Sequence, residues 1–374
     1  MNEFYTLKEI NQQKRLWLDT INLIKNRKEE IEIFLNKNDF NNRKIIFTGA
    51  GTSEFVGNSI APSLGKNIIS IATTDIVSNP ENYLKKDEKL ILISCARSGN
   101  SPESLATVKL ADELVDNISH ILITCNKDGE LALNKKNDEN ALVLLMPEES
   151  NDKGFAMTSS FTCMSLAGLL IFNLNSLEKI EKIIKIQINK IKDEDIKILI
   201  DSLIDLDISR IIYLGSSCLK GLAEEAALKC LELTTGHIGL YFNSPLGFRH
   251  GPKSIINDTT MVITLLSNDN YTRKYELDLL KEMFYENKKK VLVTLDMKNS
   301  TEAKENSHYY YSFDSDFYSE DVFNMFSYIY FAQLFAFYKS KSFGINPDNP
   351  CPTGEVNRVV QGVTIYNYKG ESQC

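Results

Sequence analysis

The sequence predicts an α/β protein made of two related halves, each built on a mainly parallel sheet. Three observations carry this. A buried-strand run that ends in a glycine turn and enters a helix occurs twice, as KIIFTGAGTSEF from Lys44 and RIIYLGSSCLKG from Arg210, an offset of 166 residues. A second strand follows in each half, LILISCARSGNSPES from Leu90 and MVITLLSNDNYTRK from Met261, an offset of 171 residues. Finally, 374 residues fit two ordinary domains better than one. Strands alternating with helix-length segments read as right-handed βαβ units, and hence as parallel sheets.

Taken in order, Thr6 to Leu35 reads as one amphipathic helix. Thr6 and Glu9 have capping-box spacing, and Ile10, Trp17, Ile21, Ile24, Ile31 and Leu35 share a face. Asn- and Lys-rich sequence from Asn36 to Lys44 ends that pattern. Third strands are expected at HILITCN from His120 and KVLVTLD from Lys290. The apolar run Cys163 to Leu174 is too short for a bilayer and carries Ser165 and Asn173, so a buried helix is expected there. Ser176 to Ser209 is an Ile/Lys-rich helical connector. A Pro/Gly/Asn-rich stretch, Asn346 to Gly354, precedes a last short strand expected at Gly362 to Tyr366. The resulting division is an N-terminal helix (1–40), a first α/β domain (41–175), a connector (176–208) and a second domain (209–366) with a tail to 374.

Hydrophobic residues at 43% and charged residues at 25% give the composition of a soluble globular protein. The opening MNEFYTLKEI has no basic or apolar leader segment, so no secretory signal is expected. Seven cysteines without a CxxC pair point to reduced thiols and a cytoplasmic setting rather than a disulfide framework. His120, His237, His250 and His308 show no ligand spacing, so no metal site is expected. A net charge of −8 argues against nucleic acid as a partner, and no membrane partner is expected.

Open parallel sheets bind ligands beyond the carboxyl ends of their strands. In the first half two such ends carry small hydroxyl residues, Gly49-Ala50-Gly51-Thr52-Ser53 and Ser98-Gly99-Asn100-Ser101, each before a helix. Helix-start N–H groups and hydroxyls together form an anion site without net positive charge. For Ser101 the alternative is a simple cap on a helix beginning at Pro102. The second half lacks this chemistry: Ser217-Cys218-Leu219 stands for Gly51-Thr52-Ser53, and Asp269 for Ser98. Its unusual segment is Leu228 to Pro252, LKCLELTTGHIGLYFNSPLGFRHGP. Glu232 falls on a helix beginning near Leu222, where a solvated face residue is the plain reading. His250 falls in a loop suited to display, structural or catalytic, and His237 competes with it.

GAGTSEF, SCARSGNSPES, ALKCLELTTG and RHGPKS, with the tail NPCPTGEVNRVVQGVTIY, together resemble the sugar isomerase (SIS) domain proteins in a double-domain arrangement. Within them the chain is most similar to the galactosamine-6-phosphate deaminase or tagatose-6-phosphate ketose/aldose isomerase family, and more distantly to the isomerase half of glucosamine-6-phosphate synthase. No glutaminase domain is expected, since no nucleophilic cysteine follows Met1. The resemblance implies two flavodoxin-like three-layer sandwiches and a phosphorylated sugar as substrate. It implies no cofactor, and at least a homodimer, or a dimer of dimers, with shared active sites. It places Thr52, Ser53, Ser98 and Ser101 around the sugar phosphate, and the loop reading adds the backbone at Gly51. Arg97 stands where the synthase has glutamine and adds a charge-assisted contact, while Ala96 replaces a serine. Glu232 falls on the residue that moves a proton between C1 and C2, and His250 on the histidine that opens the pyranose ring from a neighbouring subunit. The synthase's tail lysine falls near Gln361, with Arg358 as the candidate substitute.

The leading reading is a deaminating aldose–ketose isomerase taking galactosamine 6-phosphate to tagatose 6-phosphate and ammonia. The alternatives are a plain hexose-phosphate isomerase and a non-catalytic sugar-phosphate sensor. Keeping both Glu232 and His250 favours an enzyme, because a sensor needs only the phosphate loops.

Overall fold

A computed structural model describes residues 4–314, 318–360 and 362–368. Its first elements are α1 (Tyr5–Asn26), α2 (Lys28–Lys37), β1 (Lys44–Gly49), α3 (Thr52–Leu64), β2 (Ile68–Ala72), α4 (Thr73–Ser78) and α5 (Pro80–Tyr83). Next come β3 (Lys89–Ala96), α6 (Pro102–Leu114), β4 (Asn117–Thr124), α7 (Glu130–Lys135), β5 (Ala141–Leu145) and α8 (Ser159–Ile171). Two helices, α9 (Leu177–Lys190) and α10 (Asp193–Ile204), lead to the second sheet. There follow β6 (Arg210–Leu214), α11 (Cys218–Leu233), β7 (Gly239–Asn243), α12 (Pro245–Arg249), β8 (Thr260–Leu265) and α13 (Asn270–Tyr285). The last elements are β9 (Val291–Asp296), α14 (Thr301–Glu305), β10 (Tyr309–Ser312) and α15 (Asp321–Ser342).

Both sheets are five-stranded and wholly parallel. The first has the order β2-β1-β3-β4-β5, and the second repeats it as β7-β6-β8-β9-β10. This is the flavodoxin-like winding, whose switch point lies between the strands that share the centre: β1 and β3, or β6 and β8. Two compact units carry the sheets. The first-sheet unit is the described part of Arg15–Asp152, Ser159–Leu177 and Thr353–Cys374; the second-sheet unit is that of Met1–Lys14, Lys153–Thr158 and Glu178–Pro352.

Each unit is a three-layer sandwich. In the first, α3 and α8 pack together on one face while α4 and α6 cover the other. The second face buries Ile46, Leu92 and Leu122 of the sheet under Ile76, Val108 and Ala111. Every residue of α8 is buried, which explains why the run from Cys163 is apolar on all sides. In the second unit, Ile212, Val262 and Leu292 lie under Leu277, Leu280 and Met283 of α13. Among the described residues no single helix is long and apolar enough to cross a membrane.

Four local expectations change. The N-terminal helix is two helices, α1 and α2, joined at Arg27, whose guanidinium reaches the Val143 carbonyl at 2.6 Å. The Thr6/Glu9 capping box does not form, because the helix starts a residue earlier and is capped from afar. Asp348 accepts from the Tyr5 and Thr6 amides at 2.8 Å each, and Glu9 instead accepts from the amides of Lys153 and Gly154. The helix holding Glu232 begins at Cys218, not near Leu222, since it starts directly after the strand-end turn. No strand forms over 362–366; the segment is irregular and exposed.

Candidate active site

The β1–α3 turn is drawn tight by its glycines. Gly51 sits at φ 55° and ψ −127°, a conformation that costs any residue with a side chain. A Cβ on Gly49 would lie 2.3 Å from the Ser53 carbonyl carbon, so strand and helix meet too closely for anything larger. Thr52 and Ser53 therefore open α3 as its first residues, both buried.

Across the switch point, β3 pairs with β1 (Thr48 opposite Ser94) and delivers the loop 97–101. Gly99 turns at φ 67°, and its carbonyl accepts from the Leu131 amide at 2.9 Å. Asn126 Nδ2 donates to the Ser98 carbonyl at 2.9 Å, and Asn100 Oδ1 accepts from the Glu130 amide at 2.9 Å. The loop is thus fixed by the next strand–helix turn, together with a bond of its own from the Asn100 amide to Ser98 Oγ at 3.3 Å. Pro102 opens α6, but the Ser101 hydroxyl does not cap the helix; it donates to Ser104 Oγ at 2.6 Å. Two hydroxyls thus stand together at a helix start, where the helix dipole favours an anion.

Arg97 is buried at the root of this loop, and its Nη2 donates to the Arg358 carbonyl at 2.7 Å. Arg358 in turn donates to the Asp152 carbonyl, and the Asp152 carboxylate holds the start of α8 through Ser159 and Ser160. The tail therefore reaches the root of the 97–101 loop through Arg358, and Gln361 lies outside the described residues. Burial pushes the nearby Cys125 thiol up to about 12, which leaves it a packing group rather than a nucleophile.

Glu232 lies on the last turn of α11, three-quarters buried. Its Oε2 accepts from Lys229 Nζ at 2.6 Å, and that ammonium, wholly buried, is also 3.6 Å from Glu225 Oε1. A buried ammonium held between two carboxylates fixes the Glu232 side chain in one rotamer. The sequence reading missed Lys229 and Glu225. Their spacing from Glu232 (positions 225, 229, 232) on an otherwise apolar helix face was the available signal. Glu232 and His250 belong to the second-sheet unit, and Gly51, Thr52, Ser53, Arg97, Ser98 and Ser101 to the first.

The histidines separate clearly. His120 Nε2 meets Asp112 at 2.8 Å, and His308 Nδ1 accepts the Leu292 amide at 3.0 Å; both are structural. His237 Nδ1 binds the Thr234 carbonyl at 2.7 Å and its ring stacks on Phe343, so it closes the end of α11. His250, just past α12, is exposed.

The second sheet repeats the turn but not the chemistry. Ser217 has φ 53° and ψ −123°, the Gly51 conformation carried by a residue with a side chain. Strand register puts Asn268, not Asp269, at the place of Ser98, because Leu90 and Thr260 occupy equal positions beside Lys44 and Arg210. Asp269 holds the helix-cap place of Ser101, accepting from the Tyr271 and Thr272 amides. Glu276 accepts from the Ser267 amide at 2.8 Å and from Ser216 Oγ at 2.6 Å, while Asp321 accepts from the Asn268 amide at 2.6 Å. Carboxylates of the chain itself occupy the donors that would face a ligand anion.

A doubly wound sheet with hydroxyl loops at its switch point, present beside a second copy of the same winding, defines a tandem SIS-domain protein; the SIS domain model matches residues 40–174. D-galactosamine-6-phosphate deaminase AgaS of Shewanella sp. (strain ANA-3) is 39% identical over 381 residues, covering 98% of this chain and 92% of that protein. The chain belongs to the AgaS family. A solved structure from Clostridium novyi NT, a candidate tagatose-6-phosphate ketose/aldose isomerase, is 49% identical with a TM-score of 0.94, covering 97% of this chain and 95% of that one. Tagatose-6-phosphate ketose/aldose isomerase from Escherichia coli is 37% identical with a TM-score of 0.88, covering 98% of this chain and 97% of that one. The fold alone extends to the C-terminal domain of glucosamine-fructose-6-phosphate aminotransferase from Francisella tularensis, at 19% identity and a TM-score of 0.74, covering 93% and 98% of the two chains.

Proposed function

We propose that this protein is a deaminating aldose–ketose isomerase that converts galactosamine 6-phosphate and water to tagatose 6-phosphate and ammonia. The observation that carries the reading is Glu232, a carboxylate held in place by a buried lysine, in a chain matching a galactosamine-6-phosphate deaminase over nearly its full length.

The residues divide the work. Thr52, Ser53, Ser98 and Ser101, with the backbone at Gly51, hold the phosphate at two helix starts, and Arg97 adds its charge at the root of the loop. His250 moves the proton that opens the pyranose ring, since an imidazole can both donate and accept a proton there. Glu232 takes the C2 proton from the open-chain amino aldehyde and returns it to C1. With that transfer one N–H proton is lost and one proton is gained at O1, so the aldehyde becomes a primary alcohol and the C2 amine becomes a ketimine. Water adds to that ketimine and ammonia leaves, giving the ketose. The active species is at least a homodimer, with His250 supplied to the neighbouring chain, and it works in the cytoplasm.

The test is product analysis on galactosamine 6-phosphate and on amine-free hexose 6-phosphates. Ammonia and tagatose 6-phosphate in equal amounts from the amino sugar are expected. Turnover of only the amine-free sugars would favour the plain isomerase, a reading the two tagatose-6-phosphate ketose/aldose isomerase neighbours keep open. Light scattering tests the dimer: a monomer at working concentration would remove the sharing of His250.

A further inference from the structure

The segment around His250 is short of internal support. It runs from α12 through His250 and Gly251 (φ 110°) into a 3-10 turn, Pro252–Ile255. Around His250 itself the bonds are turns, the His250 amide to the Gly247 carbonyl at 3.1 Å and the Ser254 amide to the Gly251 carbonyl at 3.0 Å, while Arg210 Nη1 anchors the far end at the Ile255 carbonyl, 2.7 Å away. Pro245 and Phe248 are buried beneath it. An exposed side chain at a glycine hinge has no defined direction unless something outside the segment holds it.

That support comes from α13. Arg249 Nη2 lies 2.8 Å from Asp278 Oδ2 and 2.6 Å from Glu282 Oε2. Lys253 Nζ binds Glu282 Oε1 and Glu286 Oε1. The two oxygens of Glu282 thus go to different cations, one on each side of His250 in sequence. Asp278 and Glu282 stand at i and i+4 on one face of α13, and Glu286 follows directly at its C-terminal cap, so three like charges lie close together. Such a row weakens a helix unless cations neutralise it, and Arg249, Lys253 and Lys290 do so here. Burial disfavours the Lys253 ammonium, yet its bonds to Glu282 and Glu286 hold its pKa above the ordinary lysine value.

We propose that Glu282 is a positioning residue for the ring-opening step: it clamps both flanks of the His250 segment to α13 and so fixes where the imidazole is presented. This rests on the reading of His250 as the ring-opening group, and the experiment separates the two. In a Glu232→Gln background proton transfer between C1 and C2 is stopped, while ring opening continues. The enzyme's acceleration of anomer exchange in galactosamine 6-phosphate, followed by NMR, then reports ring opening alone.

Adding Glu282→Ala should cut that acceleration by about tenfold, the scale of a misplaced but intact catalytic group. KM and the melting temperature should stay near those of the parent, which a loss of folding would not allow. Asp278→Ala, which removes one contact on the Arg249 side only, should cost less. If Glu282→Ala does not fold, Glu282→Gln carries the same expectation with the side-chain shape kept. Full anomer exchange in the Glu282 variant, with exchange lost in His250→Ala, overturns the clamp and leaves the His250 reading intact. Full exchange in His250→Ala overturns both.

Discussion

The two switch points of this chain share a backbone and differ in what fills them. After β1, Gly51 turns at φ 55° and ψ −127°; after β6, Ser217 turns at φ 53° and ψ −123°. Gly49 and Gly215 sit equally close to the helix that follows, each 2.3 Å from it at an added Cβ. In the first unit the loops at this place offer hydroxyls and a helix start. In the second, Glu276, Asp321 and Asp269 have moved in and taken the donors. An N–H group must find an acceptor from somewhere. Whether that acceptor is a ligand phosphate or the chain's own carboxylate is decided by three side chains, not by the fold. The second unit, closed as a phosphate site, carries Glu232 and His250 instead.

The sharpest test of this division is kinetic. Glu232→Gln keeps the side-chain shape but cannot accept a proton, so kcat should fall by roughly 10²–10⁴-fold with KM little changed. Ser98→Ala should do the reverse, raising KM in proportion to a loss of about 1–3 kcal/mol from a bond to a charged phosphate, with kcat nearly kept. Steady-state assays on both variants decide it; if Ser98→Ala leaves KM alone, the first switch point is not the phosphate site.

The second switch point should show itself in stability. Burial raises the Glu276 pKa to about 7, above its ordinary value of 4.5, with bonds from Ser216 and Ser267 opposing and Asp321 reinforcing the rise. The native chain therefore keeps a proton that the unfolded chain releases between those values, so stability falls as pH rises through that window. Glu276→Gln should lose this dependence and gain on the order of 2–3 kcal/mol relative to wild type above neutrality. Denaturant melts at pH 5 and 8 read the difference; parallel curves for the two proteins would mean Glu276 is charged throughout. The smallest effect is expected at the turns. Ser217→Gly relieves a positive φ and should stabilise by about 1 kcal/mol, whereas Gly51→Ser should destabilise by a similar amount. Effects of the same sign from the two swaps would show that the turns are not equivalent.

Much of the architecture was legible because it is local. A period of two or 3.6, a glycine turn after an apolar strand and a proline at a helix start announce themselves within a few residues, and they located the central strands and both hydroxyl loops. The edge strands β2, β5, β7 and β10 escaped, being short and only partly buried, with little pattern to read. Helix α15 escaped for the opposite reason: it is buried nearly all round and shows no polar face.

The sequence by itself determined two parallel sheets and the first-half loops that offer hydroxyls; Glu232 and His250 became candidates only through the family resemblance. Only the tertiary structure decided their surroundings. Asp348 caps a helix 343 residues away, Arg97 binds the tail 261 residues on, and Glu282 holds the His250 segment from α13. Each of these joins groups whose separation along the chain carries no periodic signal. They meet because the sheets fold the chain back on itself, and a charge or an amide that has left water must then bond to whatever the fold has brought beside it.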